Sequence, residues 1–441
     1  MASKNDSAQT ALSRRAKRRV YGPPHTAYID AAGGVKDPVR EELSRVLGDP
    51  IAPVSREAAL DNPRGLVVLR DADYRGLLEL CLRTQLASDI RMIIHQAPVE
   101  KVPQLEAALK DAPIDLFVAG GRSVRLTIDS TASTVYHEGL IRDACRRAFS
   151  AAGVEILESS GGPTTRGAAT DPAEPHHKVA VSILHDTLRV SISLVGEPLW
   201  KRGYRATTAA VAPLREDLAA VGIDASLQPG EHPFVLVPFA GSATFACETA
   251  IRVYGLSSGF WDRDFAFAEF PFGAPKSVSY VLEQLAIRAR AAVDASGPLE
   301  ALLIDRHEPA VEAARANLAS FARGLEAWRI PDVLNSRVVV DDVFSSPWTE
   351  LVPSGGAVYL PLNPPYGLRL ETPDVDRLYS NVGREIQKLA GHCTLSGCCL
   401  CPSVSTWRIV RDAALDAGLM VSTLHVGHGG LDVRLLSFRG A

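Results

Sequence analysis

The chain has 441 residues, of which 46% are hydrophobic and 22% charged, a composition typical of a globular protein with two or three domains. Its formal net charge of −4 excludes a protein that is basic over its whole surface, so any nucleic-acid partner must be held by local basic patches. No apolar run could cross a bilayer and the N-terminal residues are polar, so we expect a cytoplasmic protein whose cysteines are reduced.

Residues 1–25 are rich in Ser, Ala and charge, which predicts a disordered basic tail. Within it, residues 13–19 carry five cations in seven positions. This run is either an arm that contacts phosphates or an ordinary solvated tail. Residues 26–98 alternate short strand-like and helical stretches, including an expected helix at Val35–Leu47, and predict a small α+β domain.

After residue 98, a helix is expected at Val99–Leu109, followed by a strand at Ile114–Val118 and an alternating strand at Ser123–Ser130. The following helix presents Arg142, Arg146 and Arg147 on one face. That face is either a solvated surface or a ridge that binds phosphates.

The segment Leu199–Arg205 combines a glycine with cations on both sides of an aromatic residue. Gly203 permits close backbone approach, while Arg202 and Arg205 flank Tyr204, a combination that suits contact with an RNA backbone and base. A helix is expected next, at Val211–Val221.

From His232 onwards, alternating strands and helices predict a doubly wound α/β domain. The first strand, Phe234–Val237, runs into a loop of small residues, Pro238–Thr244, that opens a helix. Free backbone N–H groups and the helix dipole make such a loop a nucleotide-type site. The next strand ends at Asp305 and the third at residues 341–342, so both carry a carboxylate at the carboxyl end.

A fourth strand breaks abruptly into Asn363-Pro364-Pro365-Tyr366. Each proline fixes its own φ and restricts the residue before it, which predicts a rigid hook. The Asn363 side-chain oxygen and the Pro364 carbonyl can each accept one hydrogen of a planar amino group, while Tyr366 stacks on the attached base. Holding both hydrogens draws the nitrogen lone pair out of conjugation and directs it at an electrophilic methyl group.

These features and several further motifs, taken in their order along the chain, carry a resemblance to a known family. The chain resembles the THUMP-domain class I methyltransferases that act on RNA. The resemblance covers residues 26–439 and concerns especially the bacterial enzymes that methylate the guanine amino group of large-subunit ribosomal RNA. The motifs that carry it are Arg83-Thr84, Ser133–His137, Lys201–Arg205, Ala212–Glu216, Pro238–Thr244, Asp305–Asn317 and Asn363–Leu370.

The resemblance implies a ferredoxin-like segment at 26–98, a THUMP RNA-binding domain at 99–205 and a Rossmann-like catalytic domain at 206–441 that uses S-adenosylmethionine. It places the ribose on Asp305, the adenine amino group on Asp342 and the target base on the hook. The remaining cofactor contacts that it implies are Pro238, Ala240, Gly241, Ser242, Thr244 and Asn363. The RNA contacts that we predict are Arg142, Arg146, Lys201, Arg202, Tyr204, Arg205 and Arg369.

The sequence departs from the family pattern in the small-residue loop. Val237 replaces an acidic residue, Ala240 a cysteine and Ala243 a glycine, changes that predict weaker cofactor binding. The sequence is therefore also compatible with a degenerate methyltransferase that serves as an RNA-binding or assembly factor. An active enzyme could instead use transfer RNA and, because the hook accepts any planar amino group, it could also use adenine or cytosine in DNA or a protein glutamine.

Three further groups of residues have structural interpretations. The cluster Cys393, Cys398, Cys399 and Cys401 is expected to pack in a core, because neighbouring strand residues face opposite sides and no metal-site spacing follows. The pair His176-His177 is expected to be solvated. The aromatic run at residues 260–272 is expected to cover the sheet or to form a wall beside the target base.

Overall fold

The computed structural model describes residues 10–48, 67–157, 177–206, 213–366, 375–428 and 431–440. The chain divides into two units, each assembled from separate segments. The N-terminal unit comprises Met1–Ala31, Leu43–Leu199 and Asp264–Tyr280, and the C-terminal unit comprises Ala32–Glu42, Trp200–Arg263 and Val281–Ala441. Among the described residues, we find no helix with both the length and the apolar character needed to span a membrane.

Seven strands form one sheet in the N-terminal unit, in the order β2-β1-β3-β7-β6-β4-β5. They are β1 (His25–Ala31), β2 (Val67–Ala72), β3 (Ala87–Pro98), β4 (Ser123–Thr131), β5 (Glu155–Leu157), β6 (His177–Leu184) and β7 (Thr187–Ser193). Strand β4 is parallel to β5 and β6, whereas the other pairs are antiparallel. His185 and Asp186, both with positive φ, form the two-residue turn between β6 and β7.

Several α-helices belong to the described part of the first half of the chain. They are α1 (Lys36–Leu47), α2 (Tyr74–Arg83), α3 (Val102–Asp111), α4 (Ile114–Phe117) and α5 (Glu138–Ala151). Helix α2 begins where the Asp73 carboxylate accepts a hydrogen bond from the Gly76 amide at 2.7 Å, a side-chain cap that satisfies one of the free N–H groups of the first turn.

Two sequence-based expectations for this half are wrong. Residues 10–16 are helical and continue as a π-helical turn at Lys17–Tyr21, so this part of the expected disordered tail is ordered. Its order comes from apolar contacts, because Ala16 and Val20 are buried. The expected strand at Ile114–Val118 is the short helix α4; most of its residues are apolar, and periodicity cannot distinguish the two structures in so short a run.

The division expected at residue 98 does not separate two sheets. Strand β3 pairs with β7 from Arg91–Ser193 to Pro98–Thr187, so the predicted ferredoxin-like and THUMP segments share one continuous sheet. Strand pairing of this kind joins residues far apart in sequence and leaves no local sequence signal.

The C-terminal unit contains a second seven-stranded sheet, in the order β10-β9-β8-β11-β12-β14-β13. Its strands are β8 (Phe234–Val237), β9 (Leu299–Asp305), β10 (Leu334–Val340), β11 (Ala357–Leu362), β12 (Thr394–Cys401), β13 (Met420–His428) and β14 (Leu431–Arg439). The five strands from β10 to β12 are parallel, and β14 is antiparallel to both β12 and β13. The predicted α/β fold class is therefore confirmed.

Further helices accompany this sheet in the described part of the second half of the chain. They are α6 (Glu216–Ser226), α7 (Thr244–Tyr254), α8 (Ser277–Ser296), α9 (Glu308–Glu326), α10 (Val375–Ala390) and α11 (Val404–Asp416). Helix α6 begins five residues later than predicted, because Pro213 disfavours a helical residue before it and Glu216 and Asp217 place their charge in the first turn.

The aromatic run at 260–272 does not behave as a single insertion. Trp261 packs in the C-terminal unit, where its Nε1 donates to the Phe321 carbonyl at 3.0 Å. Phe270 and Phe272 belong to the N-terminal unit and meet the Phe117 ring edge-on at 5.2 and 5.9 Å. The chain therefore leaves the C-terminal unit after Arg263, contributes Asp264–Tyr280 to the N-terminal unit and continues in the C-terminal unit from Val281.

Candidate active site

The carboxyl ends of four parallel strands lie at one edge of the C-terminal sheet. Strand β8 leads into the loop 238–243, β9 ends at Asp305, β10 precedes residues 341–342 and β11 precedes Asn363. Because β10, β9, β8 and β11 are adjacent and parallel, the four segments emerge side by side. Open α/β sheets bind ligands at the carboxyl ends of their strands.

The loop after β8 is held in a tight conformation by backbone hydrogen bonds. The Ala240 amide donates to the Ile304 carbonyl at 2.9 Å, and the Ala243 amide donates to the Ala240 carbonyl at 2.9 Å. Gly241 and Ala243 both have positive φ, +52° and +66°. Ala243 is the N-cap of α7, so a methyl-bearing residue occupies a left-handed position that favours glycine.

Asp305 connects the end of β9 to this loop. Its Oδ2 accepts a hydrogen bond from the Gly241 amide at 2.9 Å, and its Oδ1 accepts one from the His307 amide at 3.0 Å. Each oxygen of a carboxylate can accept a second hydrogen bond, and Asp305 is only half-buried. The carboxylate therefore fixes the loop and still has acceptor capacity for a ligand.

Asn317 supports the same loop, and sequence reasoning gave it no role of its own. Its Nδ2 donates to the Ser242 carbonyl at 3.1 Å, and its Oδ1 accepts from the Ala206 amide at 2.9 Å. The side chain is fully buried in helix α9. A buried asparagine in an otherwise apolar helical stripe was the signal that could have identified it.

Arg205 is a second support that the sequence assigned differently. Its Nη2 donates to the Thr244 hydroxyl at 3.0 Å and to the Leu214 carbonyl at 2.6 Å, and its Nε donates to Glu216 at 2.5 Å. The Thr244 hydroxyl in turn lies 3.3 Å from that of Ser242. Arg205 therefore holds the first residue of α7 and is not available as the RNA contact that we predicted.

Arg202 and Tyr204 also differ from the prediction that they bind RNA. Both side chains are 1% exposed, and both bind Glu248 of helix α7: Arg202 Nη2 at 3.1 Å and the Tyr204 hydroxyl at 3.0 Å. Burial raises the pKa of Glu248, while Arg202 lowers it. Arg202 and Arg205, on either side of Tyr204, therefore belong to a buried ionic cluster. The sequence alone cannot distinguish such a cluster from a basic surface. Lys201, by contrast, is half-buried, with its Nζ 5.7 Å from the Trp200 ring centre.

The loop after β10 presents a carboxylate and an aromatic ring. Asp342 is exposed, and its Oδ1 accepts a hydrogen bond from the Phe344 amide at 2.9 Å, which forms a local turn. The Phe344 ring meets that of Phe239, from the first loop, edge-on at 6.4 Å. These two rings flank the strand ends and were absent from the predicted site. An aromatic residue two positions after Asp342 was the available signal.

The hook after β11 contains an internal hydrogen bond. The Tyr366 hydroxyl donates to Asn363 Oδ1 at 2.9 Å, so the ring folds back on the amide. Asn363, Pro365 and Tyr366 are half-buried and Pro364 is buried. Burial raises the pKa of Tyr366 well above its usual value, so the phenol keeps its proton and remains a donor. One lone pair of Asn363 Oδ1 is left for another hydrogen.

The predicted RNA contacts in the N-terminal unit lie on the outer face of α5. Arg146 is paired with Asp143 at 2.8 Å, and Arg142 with Glu138 at 2.5 Å. Both pairs are on the surface, where such ion pairs are weak and readily exchanged for phosphates. Arg369 lies outside the described residues.

The cysteine cluster is a core feature, as predicted. Cys398, Cys399 and Cys401 are buried, and burial raises the pKa of Cys398 to about 12. No group of residues in the described ranges has the make-up of a metal site. The expectation that His177 is solvated is wrong: it is 2% exposed, faces Glu269 at 3.6 Å and stacks on Phe270. His176 lies outside the described residues.

The chain matches no family model, but it resembles curated ribosomal RNA methyltransferases. It is 28% identical over 386 residues to the ribosomal RNA large subunit methyltransferase K/L of Syntrophotalea carbinolica, covering 83% of this chain and 49% of the relative. It is 24% identical over 366 residues to the protein of the same name from Hahella chejuensis, covering 79% and 46%. The chain spans about half the length of these relatives.

Solved structures resemble the chain over nearly its whole length. SMU.472, which carries a provisional methyltransferase assignment and was crystallised with SAH, aligns with a TM-score of 0.68 and 25% identity over 95% of this chain and 99% of its own. TrmN from Thermus thermophilus aligns with a TM-score of 0.61 and 18% identity over 95% and 100%. The chain therefore has the fold of these proteins, with a Rossmann-like class I methyltransferase sheet in the C-terminal unit.

Proposed function

We propose that this protein is an RNA methyltransferase that transfers a methyl group from S-adenosylmethionine to the exocyclic N2 amino group of a guanine in large-subunit ribosomal RNA. The observation that carries the proposal is the meeting of the small-residue loop, Asp305, Asp342 and Asn363 at one edge of the parallel sheet. The ribosomal RNA methyltransferases that the chain resembles supply the substrate class.

The residues at this edge fit S-adenosylmethionine. A Cβ built on Gly241 would meet no atom within 4 Å, so there is open space above the loop next to the helix N-terminus. Asp305 would accept the ribose hydroxyls, Asp342 would accept the adenine amino group, and Gly241 and Ser242 would line the methionine end. Pro238, Ala240 and Thr244 would complete the loop.

S-adenosylmethionine supplies a methyl group that is already activated by its sulfonium. The chain therefore has to orient the acceptor and stabilise developing charge, and it needs no strong base. Asn363 Oδ1 and the Pro364 carbonyl would accept the two hydrogens of the guanine amino group. Since Tyr366 occupies one lone pair of Oδ1, it fixes the direction of the other. The target base must leave its stack to reach this edge.

We assign RNA binding to the N-terminal unit, as a ferredoxin-like segment and a THUMP domain joined in one sheet. The outer face of α5, with Arg142 and Arg146, would contact phosphates. Lys201 and Arg369 are proposed as further RNA contacts from the C-terminal unit, whereas Arg202, Tyr204 and Arg205 are not, because they are engaged in the buried cluster with Glu248 and Glu216.

The decisive experiment is nucleoside mass spectrometry of RNA from a deletion strain, fraction by fraction, with restoration by the purified protein and S-adenosylmethionine. Loss of N2-methylguanosine from large-subunit ribosomal RNA is the expected result. Loss of N2-methylguanosine from transfer RNA alone would identify transfer RNA as the substrate. No change in any fraction would contradict the proposal.

A matched pair of variants tests the hook directly. Asn363→Ala should abolish methyl transfer while leaving RNA binding nearly intact. Asn335→Ala removes an exposed asparagine near the opposite end of β10, where it binds Glu300 at 2.9 Å, and should leave both properties unchanged. Wild-type turnover by Asn363→Ala would remove the hook from the mechanism.

A second candidate function follows from the left-handed Ala243 and from Val237. A loop in which these residues prevent cofactor binding would leave an RNA-binding or assembly factor. Calorimetry with S-adenosylmethionine separates the two: measurable binding supports the enzyme, whereas no heat and no thermal shift support the non-catalytic role.

A further inference from the structure

The basic run near the N-terminus is part of the folded N-terminal unit. Arg15 forms a two-point ion pair with Asp115, at 2.6 and 3.0 Å, and Ala16 and Val20 are buried. His25 Nε2 lies 2.7 Å from the Val20 carbonyl and so holds the end of the helical segment. These contacts fix the backbone that carries Arg18 and Arg19.

Arg18 and Arg19 line a cavity of about 270 Å³. Both side chains are exposed, and no carboxylate of the described residues lies within 4 Å of either guanidinium group. Two adjacent guanidinium groups in such a position are a strong recognition element for phosphate, since each can donate two parallel hydrogen bonds. Several other arginines of this unit are instead paired with carboxylates, as at Arg15, Arg91 and Arg147.

The other residues that line the cavity carry mostly apolar side chains, of which Pro23, Ile93 and Ile94 are partly exposed and the others are buried. These lining residues are Pro23, His25, Met92, Ile93, Ile94, Pro113 and Phe117. They come from β3, from the start of β1 and from the α4 region, so the wall is built on ordered elements. An inorganic anion alone would gain nothing from such a wall, whereas a flat, weakly polar ring would.

We propose that this arginine cavity binds one nucleotide of a single-stranded RNA segment, with Arg18 and Arg19 on its phosphate and the base against the apolar wall. Cationic groups beside an apolar surface are the arrangement with which proteins bind unpaired nucleotides. All lining residues belong to the N-terminal unit. The proposal rests on the proposed RNA substrate, but it assigns a contact that is separate from methyl transfer.

The test compares two double variants that remove equal charge from the same helical segment. Arg18→Ala/Arg19→Ala removes the cavity cations. Arg14→Ala/Lys17→Ala removes two exposed cations that do not line the cavity and serves as the control. The probe is a fluorescein-labelled 12-nucleotide polyuridine RNA, and its dissociation constant is measured by anisotropy between 50 and 200 mM salt.

We expect the cavity variant to weaken binding about tenfold at 50 mM salt and to reduce the slope of log K against log salt by roughly 0.7, the value for one phosphate contact on a single strand. The control should weaken binding by no more than about threefold, since exposed charges away from the contact are screened. Equal effects of the two variants, or no effect of either, would overturn the proposal.

Two additional measurements distinguish this proposal from related ones. A 4-thiouridine RNA should cross-link to the peptide that contains residues 92–94; cross-links that avoid this peptide would refute the base contact. An unlabelled hexaglutamate peptide that competes as well as RNA would reduce the cavity to a general anion site and overturn the nucleotide assignment.

Calorimetry with S-adenosylmethionine separates the failure of this proposal from that of the proposed function. Both double variants should bind the cofactor like the wild type, since they lie in the other unit. A protein that binds RNA through Arg18 and Arg19 but does not bind S-adenosylmethionine would retain the cavity assignment and lose the methyltransferase assignment. If cofactor binding and methylation are normal but neither double variant loses more RNA affinity than the other, the methyltransferase assignment is retained and the cavity assignment is lost.

Discussion

The hydroxyl of Tyr366 donates a hydrogen bond to Oδ1 of Asn363 at 2.9 Å, so that the two polar groups of the hook are bound to each other. The bond leaves one lone pair of the amide oxygen available and determines its direction. Tyr366 is therefore more than a ring for base stacking: its hydroxyl orients the acceptor that the methylated amino group would use.

We predict that Tyr366→Phe lowers kcat for methyl transfer about five- to tenfold, because a neutral hydrogen bond contributes roughly 1 kcal/mol and only the orientation of the amide is lost. The ring is retained, so KM for RNA should stay within about twofold. Single-turnover transfer of a labelled methyl group measures the change. A variant with unaltered kcat would show that the hydroxyl plays no part in orienting Asn363.

The second prediction concerns the Thr244 hydroxyl, which accepts a hydrogen bond from Arg205 at 3.0 Å at the start of helix α7. Thr244→Val keeps the shape of the side chain and removes this acceptor, which should loosen the small-residue loop. We expect the dissociation constant for S-adenosylmethionine to rise about fivefold to tenfold in calorimetry.

Thr244→Ser provides the matched control for that experiment because it restores the hydroxyl. It should bind the cofactor within about twofold of the wild type. Equal weakening by Val and Ser, of which only Val lacks the hydroxyl, would contradict the role assigned to the bond with Arg205.

The third prediction concerns Ala243, whose φ of +66° is costly for a residue with a Cβ. Ala243→Gly removes strain of roughly 1–2 kcal/mol and adds a backbone entropy cost of roughly 0.5–1 kcal/mol. We therefore expect a small net stabilisation, seen as a higher urea midpoint for the C-terminal unit, together with tighter cofactor binding.

Ala246→Gly, three residues further along helix α7, is the comparison variant. There the backbone is helical and glycine brings only its entropy cost and a lost methyl contact, so the urea midpoint should fall. If both substitutions lower the midpoint by the same amount, Ala243 is not strained.

The fourth prediction is a pH dependence that originates at Asp89 in β3. Burial, with a further contribution from the nearby Asp30 carboxylate, raises the pKa of Asp89 from its ordinary value of 3.8 to about 6. Arg91 donates to both oxygens of Asp30, at 2.8 and 2.9 Å, and Asp89 accepts a hydrogen bond from the Ser193 hydroxyl at 2.7 Å.

The sign follows from proton binding. Between pH 3.8 and about 6 the folded protein keeps a proton on Asp89 that the unfolded chain has released, so the contribution of Asp89 to stability falls as the pH rises through this window. Asp89→Asn remains neutral and keeps a partner for Ser193. We expect it to raise the thermal unfolding midpoint at pH 7 by a few degrees and to flatten the profile between pH 4 and 6. A variant that is less stable at pH 7 would contradict this account.

Much of the candidate site was predictable from local sequence. The strand Phe234–Val237 has the predicted bounds, and Asp305 and Asn363 lie at or just beyond the strand ends where the pattern put them. Such positions are readable because buried parallel strands are short apolar runs and their ends are marked by polar residues or prolines. The rule that ligands bind at the carboxyl edge then brings together residues far apart in the sequence.

The roles of the cations were not predictable. Arg202 and Arg205 have the same sequence context as a basic surface, yet they bind Glu248 and Glu216 below the loop. Whether an arginine faces solvent or a buried carboxylate depends on which distant helix packs against it, and that packing has no local signature. The same uncertainty affected Arg18 and Arg19, which local composition placed in a tail.

The sequence by itself determined the alternation of strands and helices, the polar groups at the strand ends and the rigidity of the Asn-Pro-Pro-Tyr hook, because these depend on backbone stereochemistry and on short-range hydrophobic patterns. Only the tertiary structure decided that one sheet unites the two predicted N-terminal segments, that Asn317 and Arg205 hold the loop, and that Tyr366 binds Asn363. These outcomes depend on which side chains are brought together by long-range packing, where burial forces each polar group to find a partner.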